Sequence, residues 1–217
     1  DSSFSFPAPQ APPPPSRRGG AVERHQLLER RTSAEAAEGL AIILDSLSQK
    51  WSIQLILHFQ KIRTTPPIDS EIHPLFHWYS DIEARAYSPI RLGWNEAVDS
   101  GRVLPLIPRL CRADACFAFL GRSAAELEGQ IESMITLGLE GFSEADGFLP
   151  TCWPSSFLMM MDVAGVEACQ SLFADRVSGA IVCSPWNRNK LLGVADSALS
   201  EDLVEAEFTH AARVTDP

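Results

Sequence analysis

The feature that most constrains this chain is the run from Gly39 to Phe59, GLAIILDSLSQKWSIQLILHF, which carries more apolar side chains than one stripe on a surface element can hold. Leu40, Leu44, Leu47, Trp51, Leu55, Phe59 and Ile62 recur at helical spacing, and Ile42, Ile43, Ile53, Ile56 and Leu57 widen the apolar face around them. Thr32-Ser-Ala-Glu35 in front reads as a capping box, with the threonine hydroxyl taking a backbone amide and the glutamate reaching back. Pro66-Pro67 closes the segment behind. The expectation is one continuous helix ending at Ile62, about 45 Å long, acting as a central rod. Such a rod needs cover on several sides.

The rest of the chain reads in the same helical direction. Asp69-Ser-Glu-Ile-His-Pro opens a short helix, and Ile90 to Val98 is a further piece closed by Ser100-Gly101. Pro105 and Pro108 make the segment from Val103 to Leu110 extended or broken. Ser123-Ala-Ala-Glu126 is a second capping box, predicting a helix over 124–142. A helix follows Pro154 with Gly165 as a break, Gly179 to Cys183 is the best strand candidate, and Ser200-Glu-Asp-Leu opens a last helix. The expected fold class is mainly α: a single irregular helical domain over 32–217 with a long central helix and at most a minor β element.

Residues 1–31 differ in kind. Pro7, Pro9 and Pro12 to Pro15 favour a polyproline II path, and Gly19-Gly20 follows them, so the segment reads as an extended arm. Pro12, Pro15 and Arg17 match the spacing of a ligand for an aromatic-grooved module, with a solvated linker or a strap across a partner as the plainer reading. The arm holds five arginines against Asp1, Glu23 and Glu29; since the whole chain has a formal charge of -10, residues 32–217 carry -12. An acidic body lacks the cationic surface that phosphate backbones require, so nucleic acid is not an expected partner. No membrane span is expected either, because Asp45, Ser46, Ser48, Gln49 and Lys50 interrupt the longest apolar run. The opening at Asp1 without a charged-then-apolar leader reads as a fragment or a processed mature protein, with import into an organelle as one candidate, and five cysteines without paired spacing point to a reducing, intracellular compartment.

Chemistry has few footholds. Five cysteines, at 111, 116, 152, 169 and 183, show no C-x-x-C spacing, which points to reduced thiols rather than a zinc ribbon or a disulfide scaffold. Cys111 and Cys116 are close enough in sequence for a small disulfide, though structural thiols are the simpler reading. Cys152 precedes a proline-opened apolar run, where a helix N-terminus favours a thiolate, and His210 is the only histidine downstream. The order Cys152-Trp153 then His210 resembles papain-like viral leader proteases in those residues, which implies Cys152 as nucleophile and His210 as base. The competing reading packs Cys152 and Trp153 against Phe157 and Met161 as core. His73, His77 and Asp81 fall at i, i+4 and i+8, a line compatible with a metal if the segment is helical. Trp186 and Arg188, in the polar stretch SPWNRNK, form a pair suited to protein contacts. No cofactor-binding motif is present. These residues favour an interaction or structural subunit bound to other protein subunits through its arm and apolar helix faces, with a cysteine-dependent hydrolase as the alternative.

Overall fold

The computed structural model describes residues 25–32, 35–67, 73–74, 88–136 and 153–215. Its centre is an antiparallel sheet. The strands are β1 (Gln26–Arg31), β2 (Ser52–Leu57), β3 (His73–Pro74), β4 (Ile90–Gly93), β5 (Cys116–Gly121), β6 (Gly179–Cys183) and β7 (Lys190–Ala195), in the spatial order β1-β7-β6-β5-β2-β4-β3. The helices are α1 (Ala36–Leu47), α2 (Trp94–Ser100), α3 (Ile107–Arg112), α4 (Ala124–Thr136), α5 (Pro154–Phe173) and α6 (Ser197–Thr215). This is an α/β fold, which corrects the mainly helical expectation.

The correction has a physical origin in the central run. α1 stops at Leu47, the chain turns through Ser48 to Lys50, and β2 enters the sheet between β5 and β4. Ile53, Leu55 and Leu57 enter one hydrophobic cluster while Ile56 enters the other. A strand covered on both faces needs apolar residues at nearly every position, and that is also what a helix buried all round needs. The wide apolar face was therefore two elements, a one-sided helix and a two-sided strand. It is also enclosed by its own chain: Leu40, Leu44, Leu55, Ile56 and Leu57 have no exposed surface, so the demand for outside cover does not arise there. Glu35, expected in a capping box, stands at the N-cap itself and makes no cap bond with its side chain. Its carboxylate holds Arg112 instead, at 3.0 and 2.7 Å.

Strict alternation assigns the two layers. From β5, Cys116, Ala118 and Leu120 face the cluster built with α1, α2, α3 and α6, whereas Phe117 and Phe119 face the one built with α4 and α5. β6 and β7 follow suit, with Ile181, Cys183, Leu191 and Ala195 on the first side and Ala180, Val182, Leu192 and Val194 on the second. The second cluster is centred on Phe117, whose ring lies 4.3 Å from Phe119 and 4.7 Å from Phe157.

The segment over 103–110, expected to be extended or broken, forms a 3-10 turn at Leu104–Leu106 and then α3, with a proline in its first turn where no amide is needed. Ser123 caps α4 as expected, its hydroxyl accepting the Glu126 amide at 3.4 Å. α5 carries the predicted break: Gly165 has φ 79° and ψ 172°, a conformation that a β-carbon would strain. β6 is the predicted strand. α6 begins three residues before Ser200, because Asp196, nearly buried, accepts the Leu199 amide at 2.8 Å.

α6 is tied to the turn after α1. Asp202 accepts from Lys50 at 2.7 Å and from Trp51 Nε1 at 2.8 Å. The Lys50 hydrogen bond, and after it the Trp51 bond, holds the Asp202 carboxyl below the usual aspartate range. A carboxyl depressed in the folded state stabilises the fold fully above its unfolded pKa and loses that contribution as pH falls through the folded value. Asp202→Asn should therefore lower the melting temperature at neutral pH, with the difference from the parent chain shrinking once the medium is acidified below the usual aspartate range. A difference that stays constant through acidification would contradict this assignment.

Candidate interaction surface

Among the described residues, the helical cover over the second face of the sheet is incomplete. α5 packs over β6 and β7, and at the outermost strand it leaves an open groove of about 660 Å³. Its floor and walls come from Leu27, Leu28 and Glu29 of β1, Leu192 and Gly193 of β7, Trp186 of the β6–β7 loop, and α5 from Leu158 to Val166. Leu28 points into the core on the other side, so alternation turns Leu27 outward on the groove side, where 66% of it is exposed. On α5, Phe157, Leu158 and Met161 are buried while Met159 is 63% exposed; Val163, four residues on from Met159 but not in the groove lining, is 82% exposed. Trp186 completes the rim at 71% exposed.

These four account for most of the large apolar side chains that the described residues leave in solvent, the others being Ile42 and Val98. Isolated exposed apolar residues need no explanation, but a contiguous set is a recognition feature. The break at Gly165 lies within the groove wall and redirects α5 there. Among the described residues of the lining the charge is acidic: Glu29 and Asp162 contribute, and neither lysine nor arginine does. Glu29 is paired with Lys190, whose hydrogen bond holds that carboxyl below the usual glutamate range.

Of the residues singled out from sequence, Trp186 stands at this groove. Arg188 points elsewhere: its side chain is 83% exposed and reaches Glu35 at 4.0 Å across a separate, smaller cavity. Pro12, Pro15, Arg17, His77, Asp81 and Cys152 lie outside the described residues, and of His210 only the backbone, in α6, is described. His73 stands in β3 opposite Arg91, in extended backbone rather than on a helix. Among the described residues no group of histidine, cysteine, aspartate or glutamate side chains could hold a metal ion, and no helix is long and apolar enough to cross a membrane.

The start of α5, next to the cysteine considered as a nucleophile, is occupied by an aspartate. Asp114 accepts the Ser155 amide at 2.9 Å and the Ser155 hydroxyl at 2.6 Å, satisfying a free amide of the first turn. Lys61 in turn donates to the Asp114 backbone carbonyl at 2.6 Å. Trp153 stacks on His58 at 5.5 Å and packs against the second cluster, which also contains Phe157 and Met161. For Trp153, packing is thus the role found.

Cys111, Cys116, Cys169 and Cys183 are all free and buried, so the small disulfide considered between Cys111 and Cys116 is absent. Missed from sequence were Leu27 and Met159. No family model, curated protein or solved structure matches the chain.

Proposed function

We propose that this chain is a non-catalytic interaction subunit of a larger protein assembly, and that the groove between β1 and α5 receives an extended apolar segment of a partner protein bearing a basic side chain. The observation that carries this reading is the gathering of Leu27, Met159 and Trp186 at one groove. Removing apolar area from water favours association, and an aromatic anchor such as Trp186 is the residue type that concentrates binding energy. Strand β1 ends the sheet, and the amides and carbonyls of an edge strand favour a partner that arrives extended. The acidic lining sets the sign of the partner's charge, with Asp162 as the carboxylate that meets it. Residues 26–31, the last part of the segment read from sequence as an extended arm, form β1 along the groove, and Pro12, Pro15 and Arg17 earlier in the arm supply a second contact in this account.

The double variant Met159→Asp, Trp186→Ala tests the reading. Both side chains are mostly exposed, so stability should change by less than about 0.5 kcal/mol in urea unfolding. In extracts of the native source separated by size, the variant should leave the high-mass fraction and elute at its own mass. Asp162→Lys, which reverses the charge in the lining, should weaken association on the order of tenfold or more. A folded double variant that still co-elutes with the assembly would refute the groove as the docking site.

A further inference from the structure

We propose that Cys111 and Cys183 form an oxidant-responsive thiol pair, converted to a disulfide by a small hydroperoxide that enters through the cavity beneath Arg112 and Arg188. Three sulfurs from separate elements meet at this point. Cys116 opens β5 and Cys183 closes β6. Phe117 stands opposite Val182 and Ala118 opposite Ile181, so the next position in the register sets Cys116 and Cys183 across from each other on the same face of the sheet. Cys111, in α3, comes onto them from the helical layer, which packs on both strands. All three belong to one buried cluster.

The cavity decides which pair reacts. It has a volume of about 140 Å³, and Cys111 and Cys183 line it together with Ser184, Arg112, Arg188 and Glu35, whereas Cys116 does not. Cys116 is 1% exposed, against 4% for Cys111 and 7% for Cys183. A water molecule takes roughly 30 Å³ of liquid volume, so hydrogen peroxide fits with room to orient.

The chemistry balances with the hydroperoxide as the oxidant. The Cys183 sulfur attacks the peroxide O–O bond, gives up two electrons and becomes a sulfenic acid; the thiol proton leaves with the displaced alkoxide as an alcohol, or as water from hydrogen peroxide. The Cys111 sulfur then displaces the sulfenic hydroxyl, which departs with the Cys111 proton as a second product water. Two thiols and one hydroperoxide give one disulfide, one alcohol and one water. Hydrogen bonds with Cys116 and Cys183, together with burial, push the Cys111 thiol well above its ordinary value, so it still carries the proton that the departing hydroxyl needs. The two sulfurs, which share the wall of one cavity, have to close to about 2.05 Å. Cys169 is the internal control: it sits in the other cluster, and burial alone pushes its thiol up to about 11.

The test uses the full chain, reduced, exposed to hydrogen peroxide, blocked with N-ethylmaleimide in denaturant and digested without reduction. The expected product is a Cys111–Cys183 linked peptide pair lighter by two hydrogen atoms, with Cys116 and Cys169 alkylated. The link should survive Cys116→Ala and vanish in Cys183→Ala. Oxidation should raise the melting temperature of the parent chain and leave that of Cys183→Ala unchanged. Should either variant fail to fold, the peptide map of the parent chain decides alone. Complete alkylation of Cys111 and Cys183 after peroxide, a link from Cys111 to Cys116 or Cys152, or sulfinic acid at Cys183 without a link would each overturn the proposal.

Discussion

Gly193→Ala is expected to abolish cooperative folding, although it adds a single methyl group. Gly193 sits in β7 opposite Ile181 of β6 and Leu28 of β1, so the sheet flanks it on both sides. A β-carbon there would stand 1.9 Å from the Ala180 carbonyl oxygen and 3.0 Å from its carbonyl carbon. A crowded side chain could rotate away, but this obstacle is the backbone of the neighbouring strand. Moving it means separating β6 from β7, or from β5 on its other side, and with them the register of the sheet. Overpacking a core ordinarily costs 1–3 kcal/mol, and a collision with hydrogen-bonded backbone belongs above that range, at more than about 3 kcal/mol. Urea unfolding followed by circular dichroism should show no native baseline, or a midpoint shifted far toward zero denaturant. A midpoint near that of the parent chain would mean that β6 and β7 are not paired in this register.

Phe117→Ala is the second large effect, through loss of packing. Phe117 has no exposed surface and stands between Phe119 and Phe157, joining β5 to α5 in the cluster that roofs the second face. Truncation removes the ring's transfer free energy and leaves a cavity that Phe119 and Phe157, held by Phe173, cannot fill. The expected loss is about 3–5 kcal/mol. Trp186→Ala makes the useful contrast, since that larger ring is 71% exposed and its removal should change stability by less than about 0.5 kcal/mol. Denaturant unfolding of the two variants side by side separates core from surface. Equal losses would contradict the placement of both aromatics.

How much of this was legible depended on whether each element's pattern was local. The cap at Ser123, the break at Gly165 and the strand GAIVC show themselves through their own residues, and all three stand where they were expected. β2 was not legible, because Leu47, Trp51, Leu55 and Phe59 keep helical spacing across a turn and into a strand. Only the short polar interruption Ser48-Gln49-Lys50 marks the boundary, and three polar residues bar membrane insertion without by themselves announcing a turn. β5, CFAFLG, and β7, KLLGVA, are buried on both faces over most of their length and so lack the alternation that identifies a one-sided strand. Of the groove, Trp186 was readable as an aromatic in a polar loop. Leu27 and Met159 were not, since nothing local separates exposed Met159 from buried Met161, and only the seating of α5 on the sheet decides between them.

The most direct measurement of the central claim places a benzophenone photo-crosslinking residue at Trp186, at Val163, and, as a control, at exposed Glu201 on α6 in the opposite layer. Illumination in extracts of the native source is predicted to give one discrete adduct, the same partner protein from positions 186 and 163 and none from 201, competed away by a synthetic peptide copied from the crosslinked segment. Adducts of equal yield and mixed mass at all three positions, or none at 186 and 163, would contradict the account.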